Sequence, residues 1–280
     1  IEICLLCVGL SPDDKPARSM KEERMTTILD KRAVLIISGG MDSCVLAHYY
    51  ASAGWNLHLI SFNYGQKHVK ELSYAERYVT DLREHYGQGP NAISIAFDII
   101  ELPIARLLAD SDSVLINKQL KMPHGHYTDD SMKVTVVPYR NPNMLLQAAT
   151  VAWSEHASVV AFAAHHGDYT QYPDCRAVFV DAFNNMLATA MIGQEIKVEA
   201  PFMYFSKAQI ARLGASLNVP FELTWSCYEG GNEGYGDSHC GHCGTCVERY
   251  ESFKLAGIPD PTVYANDPQE YLHVPGKASH

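Results

Sequence analysis

Two groups of residues in this 280-residue sequence have the types and spacing of chemical sites. The first is the segment "SGGMDS", residues 38 to 43, which follows a β-branched apolar run and precedes a helical apolar pattern. Adjacent glycines let main-chain N–H groups approach a ligand closely, and the start of a helix favours negative charge. The serines add hydroxyl donors and the aspartate a carboxylate. Structural turns also use glycine, but this combination predicts a cradle for the pyrophosphate of a nucleotide.

The second group is a cluster of four cysteines: Cys227, then twelve residues later Cys240, Cys243 and Cys246 at C-x-x-C spacing. Thiolates at this spacing converge on one tetrahedral ion, which favours structural Zn²⁺ bound by four sulfurs. Two further ligand sets stay open. His239 or His242 replaces a cysteine ligand, or the four cysteines hold an iron–sulfur cluster.

Composition limits the classes of partner. The formal net charge is −10 at pH 7, and an acidic chain repels a long phosphate backbone, so nucleic acid is not the expected partner. No apolar stretch approaches the roughly 20 residues that span a bilayer. We therefore expect a small-molecule substrate and no membrane. Clustered cysteines without a secretory signal favour metal in a reducing cytoplasm over disulfides.

The elements that position these groups predict an α/β fold. Val34 to Ile37 is typical of a buried strand, and further strands are predicted within 56–65, 92–99, 158–168 and 196–202. Helical patterns lie within 68–87, 137–157, 177–191 and 206–217, the last with Ser206 as N-cap. This alternation predicts a parallel sheet with helices on both faces. Residues 103 to 135 lack a period and are interpreted as a surface excursion.

The first segment resembles the SGGxDS loop of the PP-loop ATP pyrophosphatase superfamily. The resemblance implies an adenine nucleotide alpha hydrolase-like fold and a loop that grips the pyrophosphate of ATP, with Mg²⁺, while a substrate oxygen is adenylated. It implies catalytic roles for Ser38, Asp42 and Ser43. The ATP-binding residues it implies are Ile37, Ser38, Gly39, Gly40, Met41, Asp42, Ser43, Cys44, Val45, Leu46 and Ala47.

Further segments resemble one family, the 7-cyano-7-deazaguanine synthase (QueC) family. They are "SFNYGQKH" at 61–68, "VPYRN" at 137–141, "GDYTQYPDCR" at 167–176 and "SCYEG" with "CGHCGTCVER" at 226–249. The resemblance covers roughly residues 32 to 255. It implies conversion of 7-carboxy-7-deazaguanine and ammonia to the nitrile through an amide and two ATP-dependent activations, by a homodimer.

The residue types in these segments suit such a substrate. Asp168 or Asp174 can accept hydrogen bonds from a guanine-like N–H edge, and Arg140 or Arg176 can bind a carboxylate or phosphate. Tyr64 or Tyr172 can stack on the base. Each residue also has a structural explanation, such as a surface ion pair or a core position. The predicted substrate residues are Tyr64, Arg140, Asn141, Asp168, Tyr172, Asp174 and Arg176.

The sequence departs from the family pattern at several points. Met41 replaces the commoner Gln, Tyr139 replaces Gly before Arg140, residues 163–171 are altered, and the first zinc spacing is longer. These departures leave open a divergent branch that serves DNA modification or defence rather than tRNA queuosine, or that stops at the amide.

Two competing hypotheses assign the chain to different classes of protein. The first is a tRNA thiolase, a PP-loop enzyme whose clustered cysteines hold iron and sulfur. The second is a non-catalytic zinc module that binds nucleic acid. Such a module requires a basic stripe beside the cysteines, whereas "CYEGGNEGYGD" is acidic, so the sequence disfavours it.

The predicted organisation has four parts. Residues 1–24 are a poorly ordered extension, and residues 25–223 form the ATP-binding α/β domain. The zinc-binding segment covers 224–256, where the composition shifts, and 257–280 form a C-terminal tail.

Overall fold

The computed structural model describes residues 31–125, 133–168, 172–230 and 234–272. The predicted extension at 1–24 and the end of the predicted tail, 273–280, therefore lie outside the described residues. Within the described part, five strands form one parallel sheet in the order β3-β2-β1-β4-β5. The strands are β1 (Arg32–Ile36), β2 (Asn56–Asn63), β3 (Ile95–Glu101), β4 (Val159–Ala161) and β5 (Lys197–Glu199).

The strand order reverses beside β1. The chain proceeds outward from β1 to β3 and then returns to place β4 on the other side of β1. In open α/β sheets such a switch point leaves a crevice at the carboxyl ends of the two central strands, where ligands bind.

Helices connect and cover the strands. Ser206 caps one of them, accepting a hydrogen bond from Gln209 N while the Gln209 side chain accepts from Ser206 N, which confirms the predicted N-cap. The helices for which the structure describes both ends are α1 (Met41–Ser52), α2 (Lys70–Tyr86), α3 (Ile104–Leu107), α4 (Arg140–Ser154), α5 (Ala177–Ala190), α6 (Lys207–Ser216) and α7 (Gly244–Ala256).

Both faces of the sheet are covered. Val34 of β1 packs in a cluster with residues of α4 and α5, whereas its neighbours Ala33 and Leu35 pack with residues of α1, α2 and α6. A strand buried on both faces is apolar at every position, as "AVLI" is. The predicted fold class, a parallel sheet with helices on both faces, is confirmed. No helix among the described residues is long and apolar enough to cross a membrane.

The segment interpreted as a surface excursion is partly core. Val114, Leu115, Ile116 and Met122 are buried and pack in the same cluster as α4, so that expectation is wrong for this part. Between residues 103 and 125 the chain is irregular apart from the four residues of α3, and periodicity detects only regular elements. Residues 126–132 of the segment lie outside the described residues.

Tyr139, the residue before α4, has a left-handed backbone conformation with φ of 57°. A side chain in this conformation costs roughly 1–2 kcal/mol, more than the roughly 0.5–1 kcal/mol that glycine's extra freedom costs. Tyr139→Gly should therefore raise the free energy of unfolding by up to about 1 kcal/mol. Denaturant unfolding measures the change.

Tyr204 is the matched control, since it is equally exposed at 78% and has no positive φ. Tyr204→Gly should lower the stability. Equal losses in the two variants would show that the conformation at residue 139 carries no strain.

Candidate active site

A cavity of about 250 Å³ lies at the carboxyl ends of β1, β2 and β4. It opens at the switch point of the sheet and brings together residues that are far apart in the sequence. Ten of the predicted site residues line it: Ile37, Ser38, Gly40, Asp42, Ser43, Tyr64, Arg140, Asn141, Asp168 and Tyr172.

The remaining predicted residues are not among those lining the cavity. Asp174 accepts a hydrogen bond from Asn141 N at 3.2 Å through Oδ2, and Arg176 is exposed before α5. Gly39 is buried. The rest of the predicted ATP-binding segment is buried on α1, in the core on one face of the sheet: Met41, Cys44, Val45, Leu46 and Ala47.

The loop between β1 and α1 is held by its two serines. Ser43 Oγ donates to Gly40 O at 3.0 Å and accepts from Ser38 N at 3.2 Å. Gly40 N donates to Ser38 Oγ at 3.1 Å. These bonds fix the turn directly before the N-terminus of a 12-residue helix, whose partial positive charge favours an anion.

Gly39 is required by both its conformation and its surroundings. Its φ is +88°, and a Cβ atom there would lie 2.4 Å from the carbonyl oxygen of Glu71 in α2. Its own carbonyl accepts a hydrogen bond from Trp225 N at 2.8 Å. The loop is therefore confined between α2 and the segment that leads to the cysteine cluster.

An acidic pair lies beside the loop. His165 Nε2 is 3.9 Å from Asp42 Oδ2 and 3.5 Å from Asp168 Oδ2. Because His165 Nδ1 accepts from Gly167 N at 3.0 Å, a neutral ring carries its proton at Nε2, towards both carboxylates. Asp42 Oδ1 is buried and has no hydrogen-bond partner among the described residues. Burial raises the pKa of Asp168, although the His165 and Lys207 charges oppose the shift.

Among the described residues, a lysine faces these carboxylates. Lys207, at the start of α6, places Nζ 2.7 Å from Glu248 Oε2 on α7. Burial by itself lowers the pKa of Lys207, but the charges of Glu248, Asp42 and Asp168 outweigh it and raise the pKa. Lys207 therefore stays charged and lines the cavity.

The rest of the cavity wall combines aromatic and aliphatic side chains with the guanidinium of Arg140 and the carboxyl group of Glu71. Arg140 lies within electrostatic range of the Tyr64, Tyr172 and Tyr228 phenols. Burial raises the pKa of Glu71 to about 8, against the hydrogen bond from Gln66 and the charge of Arg140, which both lower it.

Four of these residues were not predicted from the sequence: Glu71, Lys207, Tyr228 and Glu248. Each lies in or beside a motif that was recognised for another reason. Lys207 follows the N-cap Ser206, and Tyr228 follows the metal-ligand candidate Cys227. The sequence feature that could have identified them is their position, directly after a strand-to-helix connection or beside the cysteine cluster. Side chains at such positions reach the carboxyl edge of the sheet.

The four clustered cysteines form a compact sulfur site. The Sγ–Sγ distances are 3.9 Å for Cys227–Cys243, 3.9 Å for Cys240–Cys246 and 3.5 Å for Cys243–Cys246. Four sulfurs at about 2.3 Å from one tetrahedral ion lie about 3.8 Å apart, so the set fits such an ion. Gly230 N donates to Cys227 Sγ at 2.8 Å, as expected for a thiolate acceptor. Hydrogen bonds with the neighbouring cysteine side chains lower the pKa of Cys243.

The neighbouring histidines have partners outside the sulfur site. His239 Nε2 accepts from Ser226 N at 3.1 Å, and His242 Nε2 lies 2.9 Å from Glu229 Oε2. Asn266 Nδ2 donates to Cys240 O at 2.7 Å and faces His242 Nδ1 at 3.2 Å. This places the ring proton on Nε2, so the His242–Glu229 contact is a hydrogen bond. The geometry favours a ligand set of four cysteines.

Comparison with known proteins identifies the family. A family model described as "Queuosine biosynthesis protein QueC" matches residues 32–257. The chain belongs to the QueC family. The family predicted from the sequence is thus confirmed.

Curated relatives of this QueC-family chain match along nearly their whole length. The 7-cyano-7-deazaguanine synthase 1 of Mesorhizobium japonicum is 44% identical over 243 residues, covering 86% of this chain and 96% of the relative. The 7-cyano-7-deazaguanine synthase of Brucella canis is 43% identical over 234 residues, covering 83% of this chain and 93% of the relative.

Solved structures are more distant. NMN synthetase from Francisella tularensis is 15% identical with a TM-score of 0.43, covering 89% of this chain and 85% of that chain. A 4-thiouridine synthetase in complex with RNA and ATP is 15% identical with a TM-score of 0.43, covering 81% of this chain and 50% of that chain. Similarity at this level carries no conclusion about function.

The confinement of Gly39 can be tested against a second glycine of similar conformation. Gly54 has φ of +75°, and a Cβ atom added there would have no other atom within 4 Å, so Gly54→Ala should cost only the conformational strain, about 1 kcal/mol. Gly39→Ala adds the clash with α2 and should cost about 3 kcal/mol or more. Denaturant unfolding of both variants measures the difference. Equal losses would mean that the loop has room to move away from α2.

Proposed function

We propose that this chain converts 7-carboxy-7-deazaguanine and ammonia to 7-cyano-7-deazaguanine, using two molecules of ATP. The observation that carries the proposal is the cavity, which joins the Ser38–Ser43 loop to Arg140 and the tyrosines in one space. Family membership and the names of the curated relatives support the same reaction. The product serves a deazapurine pathway, for tRNA or DNA.

The reaction needs activation because a carboxylate carbon resists attack by ammonia. The substrate carboxylate attacks the α-phosphorus of ATP and pyrophosphate leaves; ammonia then displaces AMP, giving the amide and a proton. The amide oxygen then attacks the α-phosphorus of a second ATP and pyrophosphate leaves; loss of AMP and of both amide protons gives the nitrile. In each activation the loop N–H groups and Lys207 stabilise the negative charge on the departing pyrophosphate.

Mg²⁺ fits beside the loop. Asp42 has a buried oxygen without a partner, and Asp168 lies across His165 from it; carboxylate oxygens are the ligands that Mg²⁺ prefers. When bound, the ion neutralises charge on the phosphates. We propose Asp42 and Asp168 as its protein ligands, so Asp168 acts at the phosphates and not on the base.

At the aromatic wall, Arg140 suits the substrate carboxylate, since its planar fork matches two oxygens. Tyr64 and Tyr172 offer ring faces to the base. Asn141 lines the same wall, and Asp174 holds its backbone N–H. For Arg176 the geometry supports no substrate contact, because it is not among the cavity-lining residues.

Incubation of the protein with ATP, Mg²⁺, ammonium and 7-carboxy-7-deazaguanine tests the function by mass spectrometry. The expected products are the nitrile and two AMP per nitrile. Lys207→Met should lower the rate of AMP formation by about 10²–10³, whereas Lys197→Met, at a lysine whose side chain is 72% exposed, should not change it. Circular dichroism checks that both variants fold.

Absence of AMP with the wild-type protein would refute the proposed function. Amide as the final product would limit the enzyme to the first activation.

We also propose that the cysteine cluster holds Zn²⁺ and that residues 224–256 form its binding segment. With four protein ligands no position remains for a water, so the ion is structural. The described cysteines are free thiols, which fits a cytoplasmic setting. Elemental analysis should find one zinc per chain and no iron; iron with labile sulfide would contradict this.

A homodimer is the proposed assembly. The family resemblance implies it, and α4 and α5 border an apolar groove of about 890 Å³ whose rim includes the exposed side chains of Leu146, Met191 and Ile192. We place the second copy against this groove. Light scattering of wild type and Leu146→Glu measures the assembly; a wild-type monomer would refute it.

A further inference from the structure

The carboxyl group of Glu71 lines the cavity and has no part in the proposed reaction steps. Glu71 lies in the first turn of α2, and its side chain is 12% exposed. Its Oε1 is 3.4 Å from Gln66 Nε2 and 3.4 Å from His68 Nε2. Both contacts are long for hydrogen bonds to a carboxylate. A buried acid with such weak contacts is only partly satisfied by the protein.

The surroundings of Glu71 suit a flat, polar ring. Tyr64, His68 and Tyr228 line the cavity beside it, with the His68 ring centroid 4.6 Å from that of Tyr228. The nearby positive charge is that of Arg140. An aromatic wall with one acid and one guanidinium can hold a heterocycle that offers N–H donors at one edge and an acidic group at another.

The two aspartates predicted to accept the N–H edge of the base have partners elsewhere. Asp174 Oδ2 accepts from Asn141 N. Asp168 Oδ2 accepts from His165 N at 3.1 Å and lies with Asp42 and Lys207 beside the loop. Glu71 is therefore the better placed acceptor.

We propose that Glu71 accepts hydrogen bonds from the paired N–H donors of the substrate, the ring N–H and the adjacent 2-amino group of its 2-amino-4-oxopyrimidine ring. This inference rests on the proposed function. Two adjacent donors match the two oxygens of a carboxylate. The adenine of ATP offers an amino donor next to a ring acceptor, which a carboxylate cannot match.

The electrostatics of the site agree with this assignment. Before binding, burial holds the pKa of Glu71 at about 8, and two N–H donors favour the ionised form and lower it. Base binding therefore releases a proton near pH 7. The facing groups do not titrate there: burial and Arg140 lower the pKa of His68 to about 3, burial raises that of Tyr64 to about 12 and raises that of Tyr228, and Arg140 stays charged.

Calorimetry with two bases tests the proposal directly. The probes are 7-carboxy-7-deazaguanine and its analogue without the 2-amino group, 7-carboxy-7-deazahypoxanthine. Wild type should bind the amino-bearing base about 10 to 100 times more tightly, as expected for a hydrogen bond to a charged group. Glu71→Gln should lose most of this preference, keep its affinity for ATP and release no proton on binding.

Glu76→Gln is the matched control, because Glu76 is exposed on the same helix; it should behave as wild type. Should Glu71→Gln fail to fold, Glu71→Asp, which keeps the charge on a shorter stem, should show the same loss of preference. The wild-type comparison of the two bases requires no variant at all.

The outcomes separate the two proposals. If wild type converts the base but Glu71→Gln keeps its preference, this inference alone is overturned. If Glu71→Gln changes the affinity for ATP and not for the base, Glu71 contacts adenine and the inference is likewise wrong. If wild type binds neither base and forms no AMP, the proposed function is overturned together with it.

Discussion

The geometry of the cavity depends on the close approach of Gly39 to the backbone of α2. Only a residue without Cβ fits at φ +88° and 2.4 Å from the Glu71 carbonyl. On the other side, Trp225 N donates to Gly39 O at 2.8 Å. Main-chain atoms therefore position the loop from both sides. Unlike side chains, they have no alternative rotamers. This rigidity lets its N–H groups hold a fixed orientation without reorganisation when charge develops on a ligand.

The second of these supports links the loop to the cysteine cluster. Arg249 of α7 is 2% exposed, and its guanidinium donates to Thr224 Oγ1 at 2.7 Å and Phe221 O at 3.1 Å. Asp260 Oδ1 lies 3.3 Å from its Nε. Burying an unpaired guanidinium costs several kcal/mol, so these partners must all be in place. Arg249 thus fixes residues 221–226, which carry Trp225 to the loop and Cys227 to the sulfur site.

The sequence predicts those parts of the fold and of the candidate site in which the interacting residues are close together in the chain. The loop is one local pattern and the three C-x-x-C cysteines are another. Within each pattern the residues are close in the sequence, so their spacing alone predicts that they lie close together. Lys207 and Glu248 are 41 residues apart, and nothing in either segment indicates the other. The buried residues at 114–116 escaped recognition because an irregular segment leaves no period. Glu71 was not singled out from the sequence, because an acid in the first turn of a helix is ordinarily explained by the helix dipole.

The charges beside the loop bear on the proposed binding of a nucleotide together with a cation. Three carboxyl groups, those of Asp42, Asp168 and Glu248, surround the ammonium of Lys207, and their charges raise its pKa. Among these four groups, negative charges outnumber the positive one when the carboxyl groups are ionised. A triphosphate would be repelled by this excess, since charges in a partly buried site are weakly screened. A divalent cation reverses the balance, because it is attracted by the same carboxylates that repel the phosphates. Under the proposed function, the loop N–H groups and the acidic pair would act together: the first would bind the phosphates, and the second would make that binding depend on the metal.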